Sequence, residues 1–237
     1  MRVRVARVVL VGLALGLVAT GGRAGTVTGT VVYEGKAPSL KPVSVAAEPI
    51  CAKKHATVPN EALVLGSGNT MANVLVRVAK GLPAGKTWPA PKEPVVMDQV
   101  GCQYFPHVMG IMVGQPFKVL NSDGILHNVH ALPNVNRQFN MAMPPARKEA
   151  IETFAKEEGM FRVKCDVHPW MQSFIGVFAH PVFAVTGTDG KYSIGNLPEG
   201  TYEVEAWHER LSTQKATVTV GASDTKTASF KFAPPTK

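Results

Sequence analysis

The octapeptide Lys-Cys-Asp-Val-His-Pro-Trp-Met constrains this chain most, because it sets three soft metal-binding groups between two strand-like runs. It carries the thiol of Cys165, the imidazole of His168 and the thioether of Met171. Residues 160–163 before it and 174–178 after it are rich in aromatic and β-branched side chains, which is typical of strands. The sequence therefore predicts a loop between two strands that presents three potential ligands.

This donor set suits copper. A trigonal site of two His and one Cys, with a long axial Met, is how proteins hold blue copper for electron transfer. The octapeptide supplies only one imidazole, so the second must come from elsewhere. His127 lies 38 residues before Cys165, after a strand-like run and a turn cluster, and is the expected partner. Its neighbour Asn128 is expected to hydrogen-bond across to the loop of Cys165 and hold the ligands in place without metal.

These motifs resemble the cupredoxin, or type 1 blue copper, family over about residues 94–182. The resemblance rests on Asn-Ser-Asp-Gly-Ile-Leu-His-Asn-Val-His, on the lead-in Gly-Met-Phe-Arg-Val-Lys-Cys and on the short Cys-x-x-His-x-x-Met loop, which is similar to that of amicyanin-like and plastocyanin-like members. It implies a Greek-key β-sandwich that binds one type 1 copper ion. The implied ligands are His127, Cys165, His168 and the axial Met171.

The same residue types also have less specific interpretations. A Cys at a strand end is commonly a buried small apolar residue, and a single His is commonly structural. Zinc prefers tetrahedral sets without a thioether, so Met171 argues against zinc. His130, three residues after His127, is expected on the opposite face of its strand. His208 is expected on the surface at a strand end.

The other two cysteines have two interpretations. An odd number of cysteines in an oxidising compartment leaves one thiol spare or in use for chemistry. If Cys165 binds metal, Cys51 and Cys102 are free to pair as a disulfide. Alternatively, Cys51 with His55 and Cys102 with His107 could bind a second metal. The disulfide is the favoured of the two interpretations.

Residues 1–24 have the pattern of a secretory signal peptide. Three arginines in the first seven residues precede an apolar run at 8–19, and small residues lie near 22–24. We therefore expect a periplasmic or secreted protein with no integral membrane segment after cleavage. Cleavage would remove four of the 25 basic residues and leave 21 against 17 acidic ones, a net charge of +4. This mild excess, without Lys/Arg runs, gives no indication of nucleic-acid binding.

The remainder of the chain predicts an all-β protein, because short strand-like runs alternate with Gly- and Pro-containing turns. The start of the mature chain, with Thr-Asp-Gly-Lys-Tyr-Ser-Ile and Leu-Pro-Glu-Gly-Thr-Tyr near the end, resembles the carboxypeptidase regulatory-like, transthyretin-like sandwich family. We predict a discontinuous second β-sandwich formed by residues 25–93 and 183–237, with the copper domain at 94–182 inserted. Domains in series are the open alternative.

Two local stretches are harder to interpret. Residues 145–158 contain the Ala, Glu and Lys that favour a helix, yet both neighbours are strand-like, and we predict mostly strand. Gly-Gln-Pro at 114–116 is predicted to be a hairpin turn between the strands on either side.

Function is predicted from the ligand set and from what the sequence lacks. Four ligands leave copper no open position for substrate, and the chain contains no His-x-His motif or recognisable catalytic motif. We predict a monomeric, non-enzymatic electron carrier whose partner is a redox protein such as a c-type cytochrome or a periplasmic dehydrogenase or oxidase. Pro169 and Trp170 are expected to form an apolar rim around an exposed edge of His168. The alternatives are copper delivery, or an extracellular scaffold with structural copper.

Overall fold

The computed structural model describes residues 24–234, which are nearly all β. The helical elements are α1 (Pro49–Lys54) and a 3-10 turn at Ser67–Asn69. The strands of the described residues are β1 (Gly25–Tyr33), β2 (Val43–Ser44), β3 (Thr57–Val58), β4 (Leu75–Lys80), β5 (Val95–Val100), β6 (Gln103–Phe105), β7 (Val108–Met112), β8 (Pro116–Asn121), β9 (His127–Ala131), β10 (Phe139–Met143), β11 (Glu149–Thr153), β12 (Glu158–Lys164), β13 (Gln172–Phe178), β14 (Phe183–Val185), β15 (Lys191–Leu197), β16 (Gly200–His208), β17 (Leu211–Val220), β18 (Thr225–Thr227) and β19 (Phe230–Phe232). The predicted all-β class is confirmed.

Strand pairing divides these elements into two groups. The first and last parts of the chain form the sheets β15-β1-β18, with β19 also paired to β1, and β14-β4-β16-β17. The middle of the chain forms the sheets β10-β9-β12-β13-β7 and β11-β8-β5-β6. The short pair β2-β3 stands apart. On this basis we propose the discontinuous arrangement of residues 25–93 and 183–237 around 94–182.

Each group of sheets surrounds its own apolar cluster. In the first, alternate side chains of β1 point inward, so Val27, Val31 and Tyr33 are buried with residues of β4 and β16. In the second, Phe154 is fully buried with its ring centroid 5.8 Å from Phe117 and 5.3 Å from Phe161. Such aromatic pairs contribute about 0.5–1.5 kcal/mol each beyond their buried area.

The register of the central strands brings the predicted ligands to one end of the second group. β12 and β13 are antiparallel, and Lys164 faces Gln172 where the pairing ends, so residues 165–171 form the connection between them. β9 lies antiparallel beside β12 with His130 opposite Lys164. His127, three residues earlier on β9, therefore lies beyond the end of β12, beside that connection.

Several local predictions need correction. The hairpin at 114–116 is wrong, because β7 pairs in parallel with β13 whereas β8 pairs with β5 and β11 in the other sheet. The turn, with Gly114 at φ +78°, crosses between sheets. Of residues 145–158, only β11 and the first residue of β12 are strand. The helix α1 was not predicted, although Pro49 at its start and lysines in its last turn are recognised helix signals.

The signal-peptide prediction falls on residues outside the described part of the chain, apart from Ala24, and stays a prediction. Within residues 24–234, no helix is long and apolar enough to cross a membrane.

A buried ionic cluster joins the two groups of sheets. His107, between β6 and β7, has its Nε2 2.6 Å from Glu209 Oε1 in the β16–β17 turn, and its Nδ1 3.4 Å from Glu61 Oε2. Burial alone would lower the pKa of His107, but the two carboxylates outweigh burial and raise it to about 9. The adjacent His208 is buried rather than on the surface, so that expectation was wrong. Burial lowers the pKa of His208 to about 4.

The His107 cluster predicts a pH dependence of stability. Because the pKa of His107 is higher in the folded than in the unfolded protein, its contribution is complete below about pH 6.5 and is lost as the pH rises through about 9. We expect this contribution to be roughly 3 kcal/mol. Denaturant unfolding of His107→Gln and wild type at about pH 6 and about pH 10 measures it. His55→Gln, at an exposed histidine, is the control, and a difference that does not change with pH would contradict the prediction.

Candidate metal centre

Three of the predicted ligands converge. The ligand atoms of His127, Cys165 and His168 all lie within 4.8 Å of one another. His127 Nδ1 is 2.8 Å from His168 Nδ1, and Cys165 Sγ is 3.7 Å from the same His168 nitrogen. The three residues are 0%, 1% and 1% exposed. The site is therefore a buried group of two imidazoles and one sulfur.

The loop that carries Cys165 and His168 is closed by its own backbone. Cys165 N donates to Met171 O at 3.1 Å, and Met171 N donates to His168 O at 2.9 Å. His168 N donates to Cys165 Sγ at 3.4 Å. Met171 is buried in the same apolar cluster as Cys165. Its role as the axial ligand stays a prediction.

Asn128 links β9 to the loop. Its Oδ1 accepts hydrogen bonds from Asp166 N at 2.7 Å and from Cys165 Sγ at 3.3 Å, and its Nδ2 donates to Asn140 Oδ1 at 2.6 Å. Burial raises the pKa of Cys165, but hydrogen bonds led by that with His127 outweigh burial and lower it overall. Since the thiolate is the form of Cys that binds metal, the contacts with His127 and with backbone N–H groups favour the ligating state, whereas the bond from Sγ to Asn128 Oδ1 belongs to the thiol.

Asp123 belongs to the site and was missed in the sequence. Its Oδ2 lies 3.0 Å from His127 Nε2, and the carboxylate also contacts Lys54 and the backbone of Gly101 and Cys102. Burial alone would raise the pKa of Asp123, but these hydrogen bonds hold it well below its usual range. The carboxylate in turn raises the pKa of His127 against the lowering effect of burial. In the sequence this residue looks like an ordinary turn residue, and its place four residues before His127 was the only available signal.

The exposed edge predicted for His168 is wrong. His168 is buried beneath the segment around α1, with its Nε2 3.7 Å from Glu48 Oε2. The Trp170 ring lies 5.3 Å from the His168 ring and its Nε1 donates to Cys102 O, so Trp170 packs inward rather than forming a free rim. Burial, with the nearby His127, lowers the pKa of His168.

The remaining candidates lie outside the three-residue group. Cys51 and Cys102 form a disulfide with their Cα atoms 6.0 Å apart, which rules out the alternative in which their thiolates bind a second metal. His55 is exposed. His130 Nδ1 is 2.9 Å from Asp166 Oδ2, on the outer side of the loop.

The residues present fit a copper ion. Sulfur and imidazole are the donors copper prefers, and the three donor atoms already face one another. Each of two ligands is also oriented by a polar neighbour, His127 by Asp123 and Cys165 by Asn128. Such neighbours fix the direction of ligands in metal sites.

Solved structures similar to this chain include a copper-containing nitrite reductase, an amicyanin and a purple cupredoxin. No protein-family profile matches the chain, and no curated protein matches it. Among solved structures, the chain is similar to a copper-containing nitrite reductase from Thermus scotoductus (24% identity, TM-score 0.33, 42% of this chain and 25% of that one). It is also similar to an amicyanin mutant in the oxidised state (19% identity, TM-score 0.33, 44% of this chain and 98% of that one). A third similar structure is a purple cupredoxin from Nitrosopumilus maritimus (20% identity, TM-score 0.30, 35% of this chain and 98% of that one).

The chain thus spans a quarter of the nitrite reductase and nearly all of the other two. These TM-scores are below 0.5, so the fold rests on the strand pairing and the proposed function on the site residues. The resemblance of the flanking segments to the transthyretin-like family stays a prediction.

The contacts of Asn128 lead to a test. Asn128→Ser should lower copper affinity by roughly 10- to 100-fold, because the loop loses the acceptor that positions Cys165. Competition with a chelator of known affinity measures the loss. Asn60→Ser, at a residue whose side chain bonds the backbone of Lys41, is the matched control. Equal affinities for the Asn128 variant and the wild type would show that Asn128 does not position the ligands.

Proposed function

We propose that this chain binds one type 1 copper ion through His127, Cys165 and His168, with Met171 as axial ligand, and transfers electrons. The observation that carries the proposal is the convergence of two imidazoles and one thiol within 4.8 Å at the end of a β-sheet. Copper bound there would supply reversible one-electron chemistry.

The donor set favours copper over zinc. Structural zinc sites are usually tetrahedral sets of Cys and His without a thioether. Here the backbone hydrogen bonds of the loop hold Met171 next to Cys165 and His168, and all three are buried. In blue-copper sites a long axial Met completes a set of two His and one Cys, so a donor set that includes Met171 favours copper.

The burial of the site supports electron transfer rather than catalysis. The three ligands are at most 1% exposed, so a substrate has no direct path to the ion. Electron transfer needs little rearrangement when the ligands are already in place, and Asp123 and Asn128 hold two of them. The chain is accordingly proposed to be a non-enzymatic carrier.

Copper delivery is less well supported. Transfer of Cu(I) between proteins would use accessible methionines, but those close to the site in the sequence are buried in the structure. They are Met109, Met112, Met141 and Met143.

Partner and location follow from the signal-peptide pattern and the site. The carrier is proposed to be a periplasmic or secreted monomer that exchanges electrons with a redox protein such as a c-type cytochrome or a periplasmic dehydrogenase or oxidase. Leu126 and Val167, each next to a ligand in the chain, are about half exposed. They offer such a partner exposed apolar side chains beside the proposed ligands, in place of the buried edge of His168.

Optical spectroscopy of the copper-loaded protein tests the proposal. We expect intense blue or green absorption from the bond between the Cys165 sulfur and copper, and a reversible reduction potential. Cys165→Ser should abolish the colour, whereas Met109→Leu, a volume-conserving change in the same core, should keep it.

Two results would argue against this function. Retention of copper and colour in Cys165→Ser would overturn the site assignment. A colourless Cu(I) form that gives up its metal to chelators would indicate delivery instead.

A further inference from the structure

The buried carboxylate of Asp123 connects the site to a cation outside it. Asp123 Oδ2 is 3.0 Å from His127 Nε2, and Asp123 Oδ1 is 2.8 Å from Lys54 Nζ. The Asp123 side chain is 1% exposed and the Lys54 side chain 38%. One carboxylate therefore lies between a ligand and an ammonium group that reaches solvent.

The position of Lys54 is fixed by the fold. Lys54 ends α1, three residues after Cys51, and Cys51 is bonded to Cys102. The backbone N–H groups of Gly101 and Cys102 each donate to Asp123 at 2.8 Å. The same turn therefore holds the carboxylate by hydrogen bonds and the helix by a covalent bond, which keeps lysine and aspartate together.

The two charges act on the ligand in opposite directions. Asp123 accepts a hydrogen bond from His127 Nε2 and so directs the Nδ1 lone pair toward Cys165 and His168. Its negative charge, in a site shielded from water, favours the more positive oxidation state of a bound ion. Lys54 neutralises part of that charge and favours the less positive state.

We propose that Lys54 and Asp123 are positioning residues that together set the reduction potential of the copper site, Asp123 lowering it and Lys54 raising it. The inference rests on the proposed electron-transfer function. It adds to that function a control element, α1, which lies about 70 residues before the first ligand and outside the sheets that hold the ligands.

The test is whether substitutions of Asp123 and Lys54 shift the reduction potential in opposite directions. In copper-loaded protein, Asp123→Asn keeps the shape of the side chain but removes its charge, and should raise the potential. Lys54→Gln should lower it. We expect each to change the reduction equilibrium at least tenfold, which is about 59 mV for a one-electron couple.

Lys53→Gln is the matched control, because it removes the same charge from the neighbouring exposed residue of α1. Its shift should be clearly smaller than that of Lys54→Gln, since the Lys54 ammonium is held 2.8 Å from the buried Asp123 carboxylate whereas Lys53 is a solvated charge that salt screens. Copper stoichiometry and thermal midpoint are measured for every variant. If Asp123→Asn does not fold, the proposal is decided by Lys54→Gln alone, whose reduction potential should be lower than that of Lys53→Gln.

The outcomes separate the two proposals. A wild-type protein without a coloured, reversible copper couple overturns both. A reversible wild-type couple whose potential moves in the same direction in Asp123→Asn and Lys54→Gln, or moves no more in Lys54→Gln than in Lys53→Gln, overturns this inference alone. A merely structural role of the pair would not give opposite signs.

Discussion

The antiparallel pairing of β12 with β13 is the constraint on which the site depends. Because Lys164 and Gln172 still face each other in the ladder, the seven residues between them must return within one strand spacing. The loop meets this requirement with the hydrogen bond from Cys165 N to Met171 O. Backbone geometry thereby fixes three potential ligands, and β9 needs to add only His127 beside them.

The sequence indicated the candidate ligands because their chemistry is uncommon and their spacing local, but it did not reveal what surrounds them. Asp123 looks like one more polar residue in a turn cluster, and only contact with Lys54, 69 residues away in the chain, shows its role. α1 is six residues long, too short for a helical repeat to appear. The burial of His168 could not be foreseen without knowing that Glu48, which caps this helix, lies 3.7 Å from its Nε2.

The errors in topology have the same origin. The sequence of a turn such as that at Gly114 is the same whether the next strand joins the same sheet or another one. The two cases differ in the distant strands with which β7 and β8 pair, and a local pattern does not show these. His208 was expected on the surface because it ends a strand. It is buried, with its ring 6.1 Å from that of Phe232, and it lies next in the chain to Glu209 of the His107 cluster, which joins the two groups of sheets. Alternation of apolar residues predicts which side chains turn inward, but it does not say what covers a strand end.

The return of the chain to its first sheets has a consequence for the order of folding. β1 can pair with β15 only when residues such as Val27 and Ile194, 167 positions apart, have met. The strands of the second group of sheets, which holds the candidate site, have their partners within residues 95–178. Contacts between distant residues form slowly, because closing a long loop costs entropy first. The middle of the chain can therefore complete its sheets early, and by bringing β4 close to β14 it shortens the loop that the outer strands must close.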